Sequence, residues 1–176
     1  MTNKKIIYVG LFATLIIIGA YIKIPNPIVP FTLQFFFVAI AGLLLGAKYG
    51  AMSVALYVFL GLAGLPIFAS GGGINYIFKP TFGYLLGFIL CAYVTGALSS
   101  YLKPSIKNYS ISSIIGLLLL HIIGIPYLYI ISKYILHSNI SFKEVFIACT
   151  ITMPGDIFLS IMASYVAIRL RHIIKS

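Results

Sequence analysis

The sequence predicts an all-α membrane protein of six transmembrane helices, folded as one domain over residues 1–176. Three observations lead there. Hydrophobic residues fill 61% of the chain and charged residues only 8%, against about 25% charged in an ordinary soluble domain. Mean hydropathy is +1.12. The apolar residues also fall into runs near the roughly 20 residues that a helix needs to cross a bilayer, and the runs are separated by short polar or proline-bearing segments.

The first run, Ile6–Ile22, is long enough to span and is followed by no small-residue cleavage site, so it reads as a retained helix. Lys23 to Pro27 ends it, because proline cannot continue the hydrogen-bond ladder and restrains its neighbour. Pro30 opens a second helix over Phe31–Leu45, and Gly46 to Gly50 makes a tight turn. A short third helix over Ala51–Leu65 stops at Pro66. The fourth covers Thr81–Tyr101 and the fifth Ile111–Leu136, with a kink expected at Pro126. The last region, Phe142–Leu170, is too long for one plain span. Pro154-Gly155-Asp156 is expected to divide it into a short or re-entrant piece, Phe142–Met153, and a span, Gly155–Leu170.

Charge sets the orientation. The net charge of +10 comes from Lys and Arg scattered over the tails and connections. This pattern suits anionic headgroups of a lipid bilayer and gives no reason to expect nucleic acid. With the N-terminus inside, Lys4, Lys5, Lys48, Lys103, Lys107, Arg169, Arg171 and Lys175 share the inner side. Lys23, Lys79, Lys133 and Lys143 share the outer side. The positive-inside rule then places both termini in the cytoplasm. The glycine-rich loop between the third and fourth helices and the Pro154-Gly155-Asp156 break both face outward.

That loop and that break hold the chemistry. Gly71, Gly72 and Gly73 form the longest glycine run, followed by Asn75 and Lys79 with Tyr76, Phe78, Phe82 and Tyr84 around them. Asn75 can donate and accept. Lys79 offers a cation, and the aromatics offer walls or an interfacial belt. Asp156 stands in apolar sequence, where a carboxylate at a helix centre costs about 2.5–3.5 kcal/mol. After Pro154 and Gly155 it would suit the first turn of a helix, as a capping carboxylate or as an acceptor for ligand N–H groups. An amide, a cation, an anion and apolar walls fit a small ligand with urea-like polarity at one end and a carboxylate at the other. Catalysis finds little support. His121, His137 and His172 have no carboxylate at metal-ligand spacing, and there is no paired acid. No metal site, cofactor or enzyme activity is expected, and the absence of a glycine-loop lysine motif excludes ATP hydrolysis by that route. His121 reads either as a bundle-facing hydrogen-bonding residue or as part of the pocket. Cys91 and Cys149 read as packing residues. Gly10, Ala13 and Thr14 on the first helix form a small-residue surface suited to another helix. Gly42 with Gly46, and Gly83 with Gly87, suit close packing inside the bundle.

These motifs, in order, resemble the BioY family. The residues that carry the resemblance are Pro27 to Gln34, Ala41 to Ala51, Gly61 to Phe68 with the glycines after it, Pro80 to Phe88, and Pro154-Gly155-Asp156. The resemblance runs from about Pro27 to Leu170 and is weak between Lys103 and Met153. It implies the six-helix fold of the substrate-binding S-component of energy-coupling factor (ECF) transporters, an ABC-transporter class. Such a subunit would capture biotin from outside a prokaryotic cell membrane. Its partners would be a transmembrane coupling subunit and two ATP-binding-cassette ATPases. The resemblance also implies that Asn75 and Asp156 meet the ureido end of biotin. Lys79, Tyr76, Gly72, Gly73, Tyr84 and Gln34 complete the expected binding set, and Gly10, Ala13 and Thr14 the expected coupling surface. The family usually carries a lysine three residues after the aspartate, and here that position is Leu159. Lys79 is then the expected partner for the ligand carboxylate. The alternative is an S-component for another small vitamin.

Overall fold

The computed structural model describes residues 3–25 and 29–175. Helix α1 (Asn3–Tyr21) leads into a two-residue antiparallel ribbon, β1 (Lys23–Ile24) with β2 (Phe31–Thr32), in the register Lys23↔Thr32 and Ile24↔Phe31. Helix α2 (Gln34–Leu62) follows, then a loop with a 3₁₀ turn at Ile74–Phe78. Next come α3 (Phe82–Tyr101), α4 (Ile106–Ile130) with a π-helical turn at Ile131–Ile135, and α5 (Phe142–Lys175). Among the described residues, five helices are long and apolar enough to cross a membrane. The chain is therefore an all-α, multi-pass membrane protein.

Helix α2 is a hairpin and not a rod. Gly46 breaks its helical dihedrals at φ 78°, ψ 178°, a left-handed φ that glycine adopts without a Cβ clash. A Cβ on Gly50 would lie 2.8 Å from Gly42 Cα, and Gln34 Nε2 is 2.8 Å from Tyr57 Oη. In a straight helix those 23 residues would separate by about 35 Å. The two arms, residues 34–45 and 47–62, are the second and third helices expected from sequence, the first beginning three residues later and the second beginning four and ending three residues earlier than expected. The turn itself docks on α3, where a Cβ at Gly96 would meet Ala47 N at 2.4 Å.

Helix α2 packs on α1 and α3, α3 on α4, α4 on α5, and α5 back on α2, so four helices close a ring with α1 outside it. Gly42 abuts Ala92, Gly83 abuts Tyr127, and Gly87 abuts Leu120. These small residues do bring helices close inside the bundle, as a bilayer requires where lipid supplies no hydrophobic drive between helices.

The last region corrects the sequence expectation. Helix α5 runs unbroken through Pro154, with no separate re-entrant piece. Proline forfeits one intrahelical bond, but a chain break in apolar surroundings would strand several backbone polar groups, so continuity costs less. The hydroxyls of Thr150 and Thr152 bond back to Phe146 O and Cys149 O, and a capping box fixes the start of α5. Ser141 N donates to Glu144 Oε2 at 2.7 Å and Glu144 N to Ser141 Oγ at 3.2 Å. Helix α4 likewise runs on through Pro126 and begins earlier than expected, at Ile106, capped by Ser105 Oγ accepting from Asn108 N.

Candidate functional site

A cavity opens at the end of the bundle that carries the ribbon and the 63–81 loop. Its outline takes in about 630 Å³, much of it space open to the outside, so the loop and ribbon leave only a small enclosed hollow. The ribbon supplies Val29 to Thr32 and α2 supplies Gln34 and Phe35. The loop supplies Ala69, Tyr76 and Thr81. The helices behind supply Tyr84, Leu85 and Phe88 (α3), Leu120 and His121 (α4), and Thr152 and Asp156 (α5).

The loop is folded down over this cavity and held there. Phe68, 1% exposed, is its plug, stacked between Tyr57 and Tyr76 at centroid distances of 5.3 and 4.5 Å. Its ring fills the space beside Gly61, where a Cβ would lie 2.1 Å from Phe68 Cζ. Phe68 N donates to Gly71 O and Gly73 N to Gly61 O at 2.7 Å. Gly71 and Gly73 take φ of 110° and 94°, left-handed values open to glycine, and a Cβ on Gly72 would collide with Leu65 O. Tyr21 Oη donates to Pro66 O. Tyr127 Oη donates to Ile77 O at 2.5 Å. Gly72 and Gly73 thus shape the loop and do not face the cavity.

Asp156 lies about four turns inside α5, not at a helix start, so the capping reading fails: no free N–H groups of a first turn are there to serve it. It is 8% exposed and faces the cavity. Among the described residues no group hydrogen-bonds or ion-pairs with its carboxylate. Phe31 packs on Gly155, whose missing Cβ leaves room for the ring, and so seats the ribbon beside the acid.

Other polar groups on the wall are partly satisfied. Thr32 Oγ1 donates to Gln34 Oε1 at 3.3 Å and Gln34 Nε2 to Tyr57 Oη at 2.8 Å. His121 Nδ1 sits 3.0 Å from Leu117 O, and since a carbonyl only accepts, Nδ1 is the donor. Tyr84 lies edge-on to His121 at 5.9 Å, and its buried hydroxyl lies against the Cys149 thiol, a weak partner, with no stronger one among the described residues. The cavity therefore offers a carboxylate with no partner among the described residues, set among apolar rings, the arrangement expected of a site that awaits a ligand's donors.

Of the residues singled out from sequence, Asp156, Tyr76, Tyr84 and Gln34 meet at this one cavity. Asn75 and Lys79 are exposed and do not line it. Lys79 Nζ donates to Ser70 O at 2.6 Å and stacks on Tyr76. On α1, Ala13 is buried at 2%. Nothing lies within 4 Å of a Cβ on Gly10, and exposed Thr14 bonds back to Gly10 O. Sequence reading left His121 open and missed Phe35, Phe88 and Thr152. The spacings Tyr84–Phe88 and Thr152–Asp156 are one helical turn and were the available signal. Among the described residues no three His, Cys, Asp or Glu side chains gather as a metal site.

A ring of membrane helices with a loop-covered cavity at one end defines a multi-pass membrane protein with one candidate ligand site among its described residues. A model of the BioY family matches residues 1–176, and the chain belongs to that family. It is 52% identical over 97 residues to the biotin transporter BioY of Thermotoga maritima, covering 54% of this chain and 57% of that protein. It is 52% identical over 95 residues to a probable biotin transporter BioY of Lysinibacillus sphaericus, covering 54% and 48%. These alignments span about half the length of the curated relatives. A putative biotin transporter of Bacillus subtilis aligns over 90% of this chain and 83% of its own length at 31% identity. The crystal structure of an S-component for biotin from an ECF-type ABC transporter superposes with TM-score 0.84 at 28% identity, over 98% of this chain and 95% of that one.

Proposed function

We propose that this chain is the biotin-binding membrane subunit of an ECF-type transporter, one substrate-binding domain that captures biotin from outside a prokaryotic cell. Release to the inside would be driven by a transmembrane coupling subunit and two ATP-binding-cassette ATPases. The observation that carries the proposal is Asp156: a membrane-buried carboxylate with no partner among the described residues, facing the cavity under the loop, in a chain so similar to a biotin S-component. A carboxylate there accepts N–H bonds from a ureido ring. The apolar walls suit the ring sulfur and aliphatic chain, and the unsatisfied polar groups penalise ligands that lack matching donors.

The two arms of α2 then count as two spans, which makes six. Rising about 18 and 24 Å, they are short for a hydrocarbon core of about 30 Å, and β2 with Pro30 lengthens the first arm toward the outside. The end carrying Lys5 against Tyr49 and the Gly46 turn is the cytoplasmic end, with both termini. Asn75, one residue from cavity-lining Tyr76, joins Asp156 at the ureido group as the rim closes. Gly72 and Gly73 set the loop that carries it. Tyr76, Tyr84 and Gln34 form the walls. Gly10 and Thr14 meet the coupling subunit, whereas Ala13, buried at 2%, packs inside the bundle and does not reach that surface.

One observation favours a second reading, an S-component for another small vitamin: Leu159 is buried at 8%, and no lysine or arginine lines the cavity. A thermal-shift panel of vitamins on the purified full chain, followed by isothermal titration with Asp156→Ala and Asn75→Ala, tests both. Biotin should give the largest shift, and each variant should weaken it more than tenfold. A larger shift from another vitamin selects the second reading. Unchanged affinity in both variants removes the site.

A further inference from the structure

The cavity wall has one carboxylate and no cation, but its rim has two. Lys23 Nζ donates to Ala69 O at 2.6 Å, and Lys79 Nζ donates to Ser70 O at 2.6 Å. These two carbonyls are consecutive in the loop, and Ala69 itself faces the cavity. The lysines reach them from different directions. Lys23 comes from β1, where it pairs with cavity-lining Thr32. Lys79 comes from the far end of the loop across the Tyr76 ring, 5.0 Å from its centroid, and that ring lines the cavity too. An ammonium has three donors, and each of these spends one on the loop. With only two acidic residues in the whole chain, neither lysine has a carboxylate to neutralise it among the described residues.

We propose that Lys23 and Lys79 together form a cationic clasp at the cavity mouth that takes the carboxylate tail of the ligand while holding the loop shut. The inference rests on the biotin reading and adds to it a residue, Lys23, that the sequence offered only as an outer charge. It also explains how the site can do without a cation inside. The negative charge of the ligand never enters beside Asp156, where two carboxylates would repel one another. It stays at the rim, where both lysines keep spare N–H groups beside consecutive loop carbonyls and where each bond formed ties ligand, ribbon and loop into one unit. The loop carbonyls keep the ammonium groups in place before the ligand arrives, which lowers the ordering cost of binding.

The test compares biotin with biotinamide, which keeps the ring system and chain and lacks the charge. Affinities are measured by isothermal titration on the full chain in detergent at low salt, for wild type, Lys23→Met, Lys79→Met, the double variant, and Lys23→Arg with Lys79→Arg. Wild type should prefer biotin. Each Met variant should lose about fivefold of that preference, as for a solvent-accessible ion pair. The double variant should lose nearly all of it, and the Arg variants should retain it. Biotinamide affinity should stay within threefold throughout. Survival of the preference in the double variant overturns the clasp. So does an equal loss for both ligands, which would mean that the lysines serve only to hold the loop. A wild-type protein that binds neither ligand overturns the biotin reading itself, an outcome distinct from either of these.

Discussion

Replacing Asp156 with Asn should make the empty protein more stable and the ligand complex weaker. The carboxylate is 8% exposed and unpaired among the described residues, so the apo protein carries its desolvation without compensation. A charged aspartate at a helix centre in a membrane costs about 2.5–3.5 kcal/mol. An amide of the same shape avoids most of that, and a gain of at least about 1 kcal/mol is expected. For a chain of this length that is a rise of about 2–4 °C in melting temperature. The ligand loses a hydrogen bond to a charged acceptor, worth about 1.5–3 kcal/mol, which is about 10- to 150-fold in Kd. Melting curves of apo protein in detergent, with titration calorimetry using biotin, read both quantities on one preparation. Opposite signs mark a residue kept for binding at the expense of stability. A fall in apo melting temperature together with unchanged affinity would show that the carboxylate holds the bundle together, and would refute the reasoning.

Two further outcomes follow from the packing around the cavity. Gln34→Leu should destabilise the protein by about 1–3 kcal/mol, because it strands the Tyr57 hydroxyl in a fully buried position. Adding Tyr57→Phe should recover part of that loss, a non-additivity that a double-mutant cycle of denaturation midpoints would reveal. Gly61→Ala drives a methyl into the Phe68 ring and should cost about 1–3 kcal/mol of stability. Proteolysis of the 63–81 loop should quicken in that variant, and a smaller plug, Phe68→Leu, should slow it again.

Which parts of this molecule were legible beforehand follows from what hydrocarbon tolerates. Apolar runs and their proline and glycine punctuation located α1, both arms of α2, α3 and α4, because in lipid a segment must close its own hydrogen bonds. The same rule explains the failure at Pro154. Read as a soluble-protein breaker, it ends a helix. Inside a bilayer, ending the helix exposes more backbone than the proline forfeits, and α5 continues. Asp156 moves with that correction from a helix start to a mid-helix wall, which turns an ambiguous acid into an unpaired one.

Side-chain partners were another matter. Nothing in a one-dimensional pattern pairs Gln34 with Tyr57, since that contact exists only because Gly46 folds α2 back on itself. Lys23 was hidden for the same reason: its importance lies in the two-residue ribbon that swings it over Ala69. Polar residues isolated in apolar sequence announce that they are kept for something, because their burial is expensive. Charges at the ends of helices do not, because a solvated lysine at an interface costs almost nothing and has many ordinary uses. Composition and spacing therefore singled out Gln34, Tyr76, Tyr84 and Asp156 of the wall and Lys79 near its mouth, whereas the place of Lys23 beside them emerges only once the ribbon and the loop are set against each other in space.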